Sequence, residues 1–325
     1  MSKRAILRLF LLAMVGVCLS VGQAGYAAQT QKKAFTIALV PGQTTEPFYI
    51  SGRYGAEEAA KQYGVNLIWE GSKEWDFAAQ TQVVHSLLAK GIDALVIAPT
   101  DDKAMVRVIK EVADAGIPVI AWDTSLVDTS ALSCEITSDN KLGGNVAADV
   151  LARAIGGQGK VIIQNTNPGV TTTDDRQNGF TEAIKAKYPN IRIINTFFCQ
   201  EDQTKAATQV QSALLANPDI KGIFATCTNA TLGAAKGLEM AHRNDVVLVG
   251  YDADPAEVEA LRKGSVDVLV VQKPLLMGYL AVEYAYRILN GQADYVPSKV
   301  LCSTVIATRD NMNDQRISKF FYPTK

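Results

Sequence analysis

The strongest constraint on this chain is its alternation of short apolar runs with longer stretches whose apolar residues recur at helical spacing. Residues 35–40, 65–69, 94–98 and 118–122 are near-continuous apolar runs five or six residues long. Between them lie helical stretches at 52–63, 77–90 and 105–115. Within 77–90, Val83, Val84, Leu87 and Leu88 form one apolar face. Apolar runs without polar alternation belong to strands buried on both faces, as in a parallel sheet covered by helices. The pattern then restarts, with further strands expected at 160–164, 192–197, 222–225, 246–249 and 268–271. Leu87-Leu88-Ala89 before Ala94-Leu95-Val96 is echoed by Leu214-Leu215-Ala216 before Gly222-Ile223-Phe224. A chain of 325 residues is also long enough for two domains. The expected fold is α/β, with two similar doubly wound parallel-sheet lobes. No Pro/Gly/Ser-rich linker separates them, so the change of domain near 136–140 should be a close-coupled hinge.

The first residues obey a different rule. Lys3, Arg4 and Arg8 precede an apolar run over 9–21, and small residues surround Gly25-Tyr26-Ala27-Ala28. This is the pattern of a secretory signal peptide, expected over residues 1–28 and removed on export. The run falls short of the roughly 20 residues that span a bilayer. An uncleaved anchor is the alternative; a lipid on Cys18 is disfavoured by the bulky Val17 before it. The formal net charge of −1 becomes more negative once the three basic residues leave. A mildly acidic chain without a basic cluster is a poor partner for nucleic acid. Of the five cysteines, Cys134, Cys199, Cys227 and Cys302 remain after cleavage. None forms a Cys-x-x-Cys pair, which argues against a zinc or redox site.

Signatures of catalysis are missing. There is no phosphate-binding loop, no Gly-x-Gly-x-x-Gly, no His-Glu-x-x-His and no Gly-x-Ser-x-Gly. The two histidines, His85 and His242, read as structural or surface residues. A pair of acids could still hydrolyse a glycoside. Two acids share a position: Asp123 follows the run at 118–122, and Asp252 follows the run at 246–249 and Gly250-Tyr251. Ligands of open α/β sheets bind outside the carboxyl ends of the strands. Carboxylates placed there can accept hydroxyl hydrogens in strong, charge-assisted bonds. The alternative is that each acid caps the following helix.

Several segments, in order, resemble the ribose-type periplasmic sugar-binding proteins of ABC transporters. They are Ile37-Ala38-Leu39-Val40 with Glu46-Pro47-Phe48-Tyr49, Ala98-Pro99-Thr100-Asp101, and Gly116 to Ile120 before Asp123. Ser138-Asp139-Asn140 with Gly143-Gly144, Arg176 to Phe180, Asn217-Pro218-Asp219-Ile220, Leu232-Gly233-Ala234 and Val249-Gly250-Tyr251-Asp252 continue the series. The resemblance spans roughly residues 34–310. It implies a type I periplasmic binding fold, with two lobes joined by a three-strand hinge and closing on the ligand. The N-terminal lobe would comprise 34–136 plus 274–301, and the C-terminal lobe 137–273 plus 302–325.

The resemblance also implies roles for particular residues. Phe48 and Tyr49 would stack on the apolar face of a sugar, with a plain core role as the alternative. Asp123, Arg176, Asp252 and Gln272 would hold hydroxyl and ring oxygens. Departures from the family pattern fall at Glu46, Thr124, Cys227 and Gly42. They turn the expectation away from ribose itself, with Glu46 and Thr124 kept as candidate ligand contacts. Trp75, in the loop after the second strand, could add aromatic surface, whereas Trp122 reads as packing. Cys134 and Cys302 would lie on neighbouring crossing strands, which suggests a disulfide; Cys199 and Cys227 should be unpaired. The implied protein is a monomeric, non-enzymatic solute-binding component. It takes a monosaccharide, polyol or related small polar ligand, needs no cofactor or metal, and docks on an ABC transporter permease. Alternatives on the same fold are a sensor or a binder of a furanosyl signal molecule. A sugar-responsive repressor would need a helix-turn-helix where the leader stands.

Overall fold

The central apolar runs become strands covered on both faces in the computed structural model, which describes residues 34–323. The leader expected over 1–28 lies outside the described residues. In chain order the first half runs β1 (Thr36–Val40), α1 (Pro47–Tyr63), β2 (Asn66–Trp69), α2 (Phe77–Lys90), β3 (Ala94–Ile97), α3 (Ala104–Asp114), β4 (Val119–Trp122) and β5 (Cys134–Ser138). The second half continues with α4 (Asn140–Ala154), β6 (Gly159–Asn165), α5 (Thr171–Lys187), β7 (Ile191–Phe198), α6 (Gln203–Ala216), β8 (Ile220–Ala225), α7 (Thr228–Met240), β9 (Val247–Tyr251), α8 (Pro255–Lys263) and β10 (Val268–Val271). The chain closes with α9 (Pro274–Leu289), β11 (Lys299–Cys302), β12 (Val305–Thr308) and the short α10 (Gln315–Ser318). Among the described residues, no helix is long and apolar enough to cross a membrane.

Two six-stranded sheets result. The first has the order β2-β1-β3-β4-β5-β11, with every pairing parallel. The second has the order β7-β6-β8-β9-β10-β12, parallel except where β12 runs against β10. Burial explains the composition of each strand. β3, β4 and β10 are buried at every residue, whereas the edge strands β2 and β7 keep partly exposed residues and tolerate Asn66, Arg192 and Asn195. The chain passes between the sheets three times: after β5, after β10, and through Ser303 and Thr304 between β11 and β12.

The return helix α9 is what binds the first sheet's later strands to its opening helix. It buries Met277, Ala281, Val282 and Ala285 and crosses α1 at glycines. A Cβ on Gly278 would sit only 1.9 Å from the Gly52 carbonyl oxygen, so the two helix backbones touch where no side chain fits.

Three strands lie beyond the runs read from sequence: β5, β11 and β12. β5 carries Glu135 and Thr137 among its apolar residues. Glu135 is buried because its register partner Lys299 on β11 reaches it at 2.8 Å. That register also removes the expected disulfide. Cys302 pairs with Ser138, placing Cys134 four residues back along β5. Four strand residues span about 13 Å, well beyond the roughly 7 Å limit between bridged Cα atoms. Cys134, Cys199, Cys227 and Cys302 are all free thiols.

The crossing of α1 and α9 yields a stability prediction. Alanine gains roughly 0.5–1 kcal/mol over glycine inside a helix, but overpacking typically costs about 1–3 kcal/mol. Because the obstacle here is backbone, overpacking should win. Gly278→Ala should therefore lower the thermal midpoint by several degrees, and an unchanged or raised midpoint would show that the helices can part freely.

Candidate functional site

The carboxyl ends of both sheets face one cavity. It is small, about 80 Å³ in terms of the positions open to a water-sized sphere. One water needs roughly 10–15 Å³ on that measure. The space therefore suits a single small polar molecule and not an oligomer. Its wall takes residues that follow the carboxyl ends of eight strands, together with the first turns of α1 and α5, on both lobes.

From the first lobe come Gln43, Glu46, Phe48, Tyr49, Trp75 and Asp123. Pro47 begins α1, a position where proline's missing N–H costs nothing. This places Glu46 just before the helix and Phe48 and Tyr49 in its first turn. Tyr49 donates its hydroxyl to Asp123 Oδ2 at 2.7 Å. Trp75 is fixed by its indole N–H, which donates to the Thr100 carbonyl at 2.8 Å. The approach of these two rings requires Gly42, where a Cβ would sit 2.2 Å from the Trp75 ring and 2.7 Å from the Tyr49 hydroxyl. Phe48 stacks over Trp122 at 6.3 Å and meets the Tyr49 ring edge-on at 5.2 Å. Trp122 itself is fully buried packing beneath the site.

From the second lobe come Thr166, Val170, Thr172, Thr173, Arg176, Glu201, Cys227, Asp252 and Gln272. Arg176, in α5, is buried. It donates to Asn140 Oδ1 at 2.9 Å and to the Thr226 carbonyl at 2.8 Å, and lies 3.7 Å from Asp252 Oδ2. Its guanidinium also lies 3.9 Å from the centre of the Tyr251 ring. Asp252 Oδ1 accepts from Gln272 at 2.5 Å and from the Tyr322 hydroxyl at 2.7 Å. Gln272 in turn accepts from Ser138 of β5 at 2.7 Å, which ties the second-lobe acid to the hinge.

Asp123 and Asp252 are matched in backbone as well as position. Each ends a central strand, and each has positive φ, 64° and 91° respectively. Non-glycine residues held there cost on the order of 1–3 kcal/mol and cluster at ligand sites. Neither acid caps a helix: Asp254, not Asp252, caps α8.

Thr124 departs from expectation. It is buried beside Asp123, but its hydroxyl donates to the Pro99 carbonyl at 2.7 Å and it forms no part of the cavity wall. The remaining residues expected from sequence, Glu46, Phe48, Tyr49, Trp75, Asp123, Arg176, Asp252 and Gln272, are brought together there. The sequence reading did not include Gln43, Thr166, Thr172, Thr173 or Glu201, nor Cys227 as a wall residue. Glu201 shares positive φ, 60°, with the two aspartates, but it lies three residues beyond β7, outside the reach of the rule that found them, an acid directly after an apolar run. Tyr322, from near the chain's end, carried no local signal.

The wall is rich in acids, and burial sets their behaviour. Asp123 is pushed up to about 6 by burial, which outweighs the Tyr49 hydrogen bond and the Arg176 charge. Glu46 is pushed up to about 8, first by burial and then by the charges of Asp252, Glu201, Asp254 and Asp123. Burial raises the Cys227 thiol well above its ordinary value, so it is no ready nucleophile. An acid with a raised folded-state pKa holds its proton more tightly folded than unfolded. Its effect on stability is therefore adverse as pH rises, growing for Glu46 from its ordinary 4.5 up to about 8. The ligand-free protein should lose thermal stability from pH 5 to pH 8, and Glu46→Gln should flatten that slope. Parallel melting-temperature profiles for the two proteins would contradict the assignment.

Comparison with known proteins agrees with this architecture. A family described as the periplasmic binding protein domain matches residues 37–293. The ribose import binding protein RbsB of Salmonella typhimurium is 33% identical over 257 residues, 79% of this chain and 86% of that protein. Among solved structures, an ABC transporter solute-binding protein of Agrobacterium vitis bound to α-D-tagatopyranose superposes with a TM-score of 0.85 at 38% identity, covering 89% of this chain and 99% of its own. A carbohydrate transporter solute-binding protein of Agrobacterium radiobacter, in complex with D-arabinose, gives a TM-score of 0.84 at 29% identity over 89% of this chain and 99% of its own.

Proposed function

We propose that this chain, which belongs to the family of periplasmic binding protein domains, captures a monosaccharide or small polyol between its lobes and delivers it to an ABC importer. The observation that carries this reading is the facing pair Asp123 and Asp252. Both end central strands on the same small cavity, with Arg176 and the Phe48, Tyr49 and Trp75 rings in its wall. Carboxylates accept from ligand hydroxyls, the guanidinium donates to ligand oxygens, and ring faces cover apolar C–H groups. The family is one of solute-binding proteins and not of enzymes. Relatives named for import and for ABC transport support delivery to a membrane permease.

Contacts from both lobes supply the mechanism. A ligand touching Asp123 on one side and Arg176 and Asp252 on the other binds the closed arrangement better than the open one, and so shifts the population toward closure. The permease then recognises the closed form. Residues 1–28 would direct export as a cleaved leader, placing the mature protein in the periplasm as a monomer. Residues 34–136 with 274–301, and 137–273 with 302–325, would move as the two lobes.

A thermal-shift and calorimetry panel of pentoses, hexoses, deoxysugars and polyols tests the reading. A ligand at about 100 times its dissociation constant should stabilise the protein by roughly 2.7 kcal/mol. Asp252→Asn keeps the shape of the side chain but removes its charge. It should weaken the responding ligand by about tenfold or more. No response from refolded, ligand-free protein to any member would reject the sugar reading, and an unchanged affinity in Asp252→Asn would remove that residue from the site.

A further inference from the structure

The charges of the cavity wall do not balance. Four carboxyl groups line it, those of Glu46, Asp123, Glu201 and Asp252, against one cation, Arg176. Arg176 is already matched by Asp252 at 3.7 Å. The other three acids form no ion pair among the described residues, although the Arg176 charge also acts on Asp123. Asp123 accepts from Tyr49, and Glu201 accepts from Thr166 and Asn229, all of them neutral donors. Glu46 has no side-chain hydrogen bond among the described residues, although its carboxyl lies in the wall. Aromatic rings share the wall with these acids, Tyr49 and Trp75 lying 6.5 Å apart and tilted by 30°.

Building on the sugar-capture reading, we propose that the ligand carries a protonated amine beside its hydroxyls, as an amino sugar or aminopolyol does, and that Glu46 and Asp123 receive the ammonium with the Tyr49 and Trp75 rings beside it. A neutral sugar would hydrogen-bond to these acids but would supply no counter-charge once the cleft closes and water leaves, so each acid would stay protonated or be buried as an unpaired charge. Burying an unpaired charge costs several kcal/mol, and a hydrogen-bonded counter-charge offsets it. Ring faces add attraction for a cation that they do not offer to a hydroxyl. The proton that Glu46 retains up to about pH 8 is what this arrangement does when its cation is missing.

The test is calorimetry of matched pairs on the mature protein, stripped of carried-over ligand: D-glucosamine with D-glucose, D-galactosamine with D-galactose, and 1-amino-1-deoxy-D-fructose with D-fructose. The expected result is one amine that binds about tenfold or more tightly than its neutral parent, the worth of one charge-assisted contact. Glu46→Gln should then cost the amine more affinity than it costs the parent. Neutral sugars that bind as tightly as their amines or more tightly would overturn the inference while leaving sugar capture standing. A preferred amine that is indifferent to Glu46→Gln would overturn the placement at Glu46. Silence from both members of every pair, together with the neutral panel above, would reject sugar capture itself and this inference with it.

Discussion

The structure turns on two aspartates that finish parallel strands with the backbone turned to positive φ, Asp123 after β4 and Asp252 after β9. Parallel strands point their carboxyl ends one way, and here the residues beyond those ends in both sheets line one cavity. The chain's crossings add the coupling. Thr137 of β5 donates to the Asp123 carbonyl at 2.7 Å, Asn140 donates to Thr137 at 3.2 Å, and Arg176 donates to Asn140 at 2.9 Å. A hydrogen-bonded line thus runs from the first-lobe acid, through the hinge, to the second-lobe cation. On the other side of the hinge, Ser138, Gln272 and Asp252 form a second line. The groups that would meet a ligand are the same groups that fix the lobes' junction.

Behind this wall lies a further buried acid. Glu257 is fully buried, accepts from Thr228 at 3.1 Å and from the Asp254 backbone at 3.1 Å, and keeps one oxygen without a partner. Burial and the neighbouring Asp252 raise it well above the usual carboxylate range. On the cavity face itself Arg176 is the one basic residue among the four acids.

Much of the architecture was legible because its signals are local. Continuous apolar runs identify buried parallel strands, and their restart after residue 140 identifies a second lobe. An acid directly after such a run marks a strand's carboxyl end, which is how Asp123 and Asp252 stood out. The signals fail where position depends on register or on distant chain. β5 and β11 are mixed in composition, and their pairing is set partly by Glu135 meeting Lys299. The same register separates Cys134 from Cys302, which adjacency of strands alone does not reveal. Thr124 sits next to a wall residue in sequence, yet a single peptide step turns it to the Pro99 carbonyl. Tyr322 reaches Asp252 from 70 residues away, and nothing near either residue announces it.

The most direct test of the central claim is a crystal structure of the mature protein with the ligand that responds in solution. The account predicts one small molecule in the cavity, with polar atoms within hydrogen-bond distance of Asp123 on one lobe and of Arg176 or Asp252 on the other. A ligand that contacts a single lobe, or that binds outside this cavity, would contradict it.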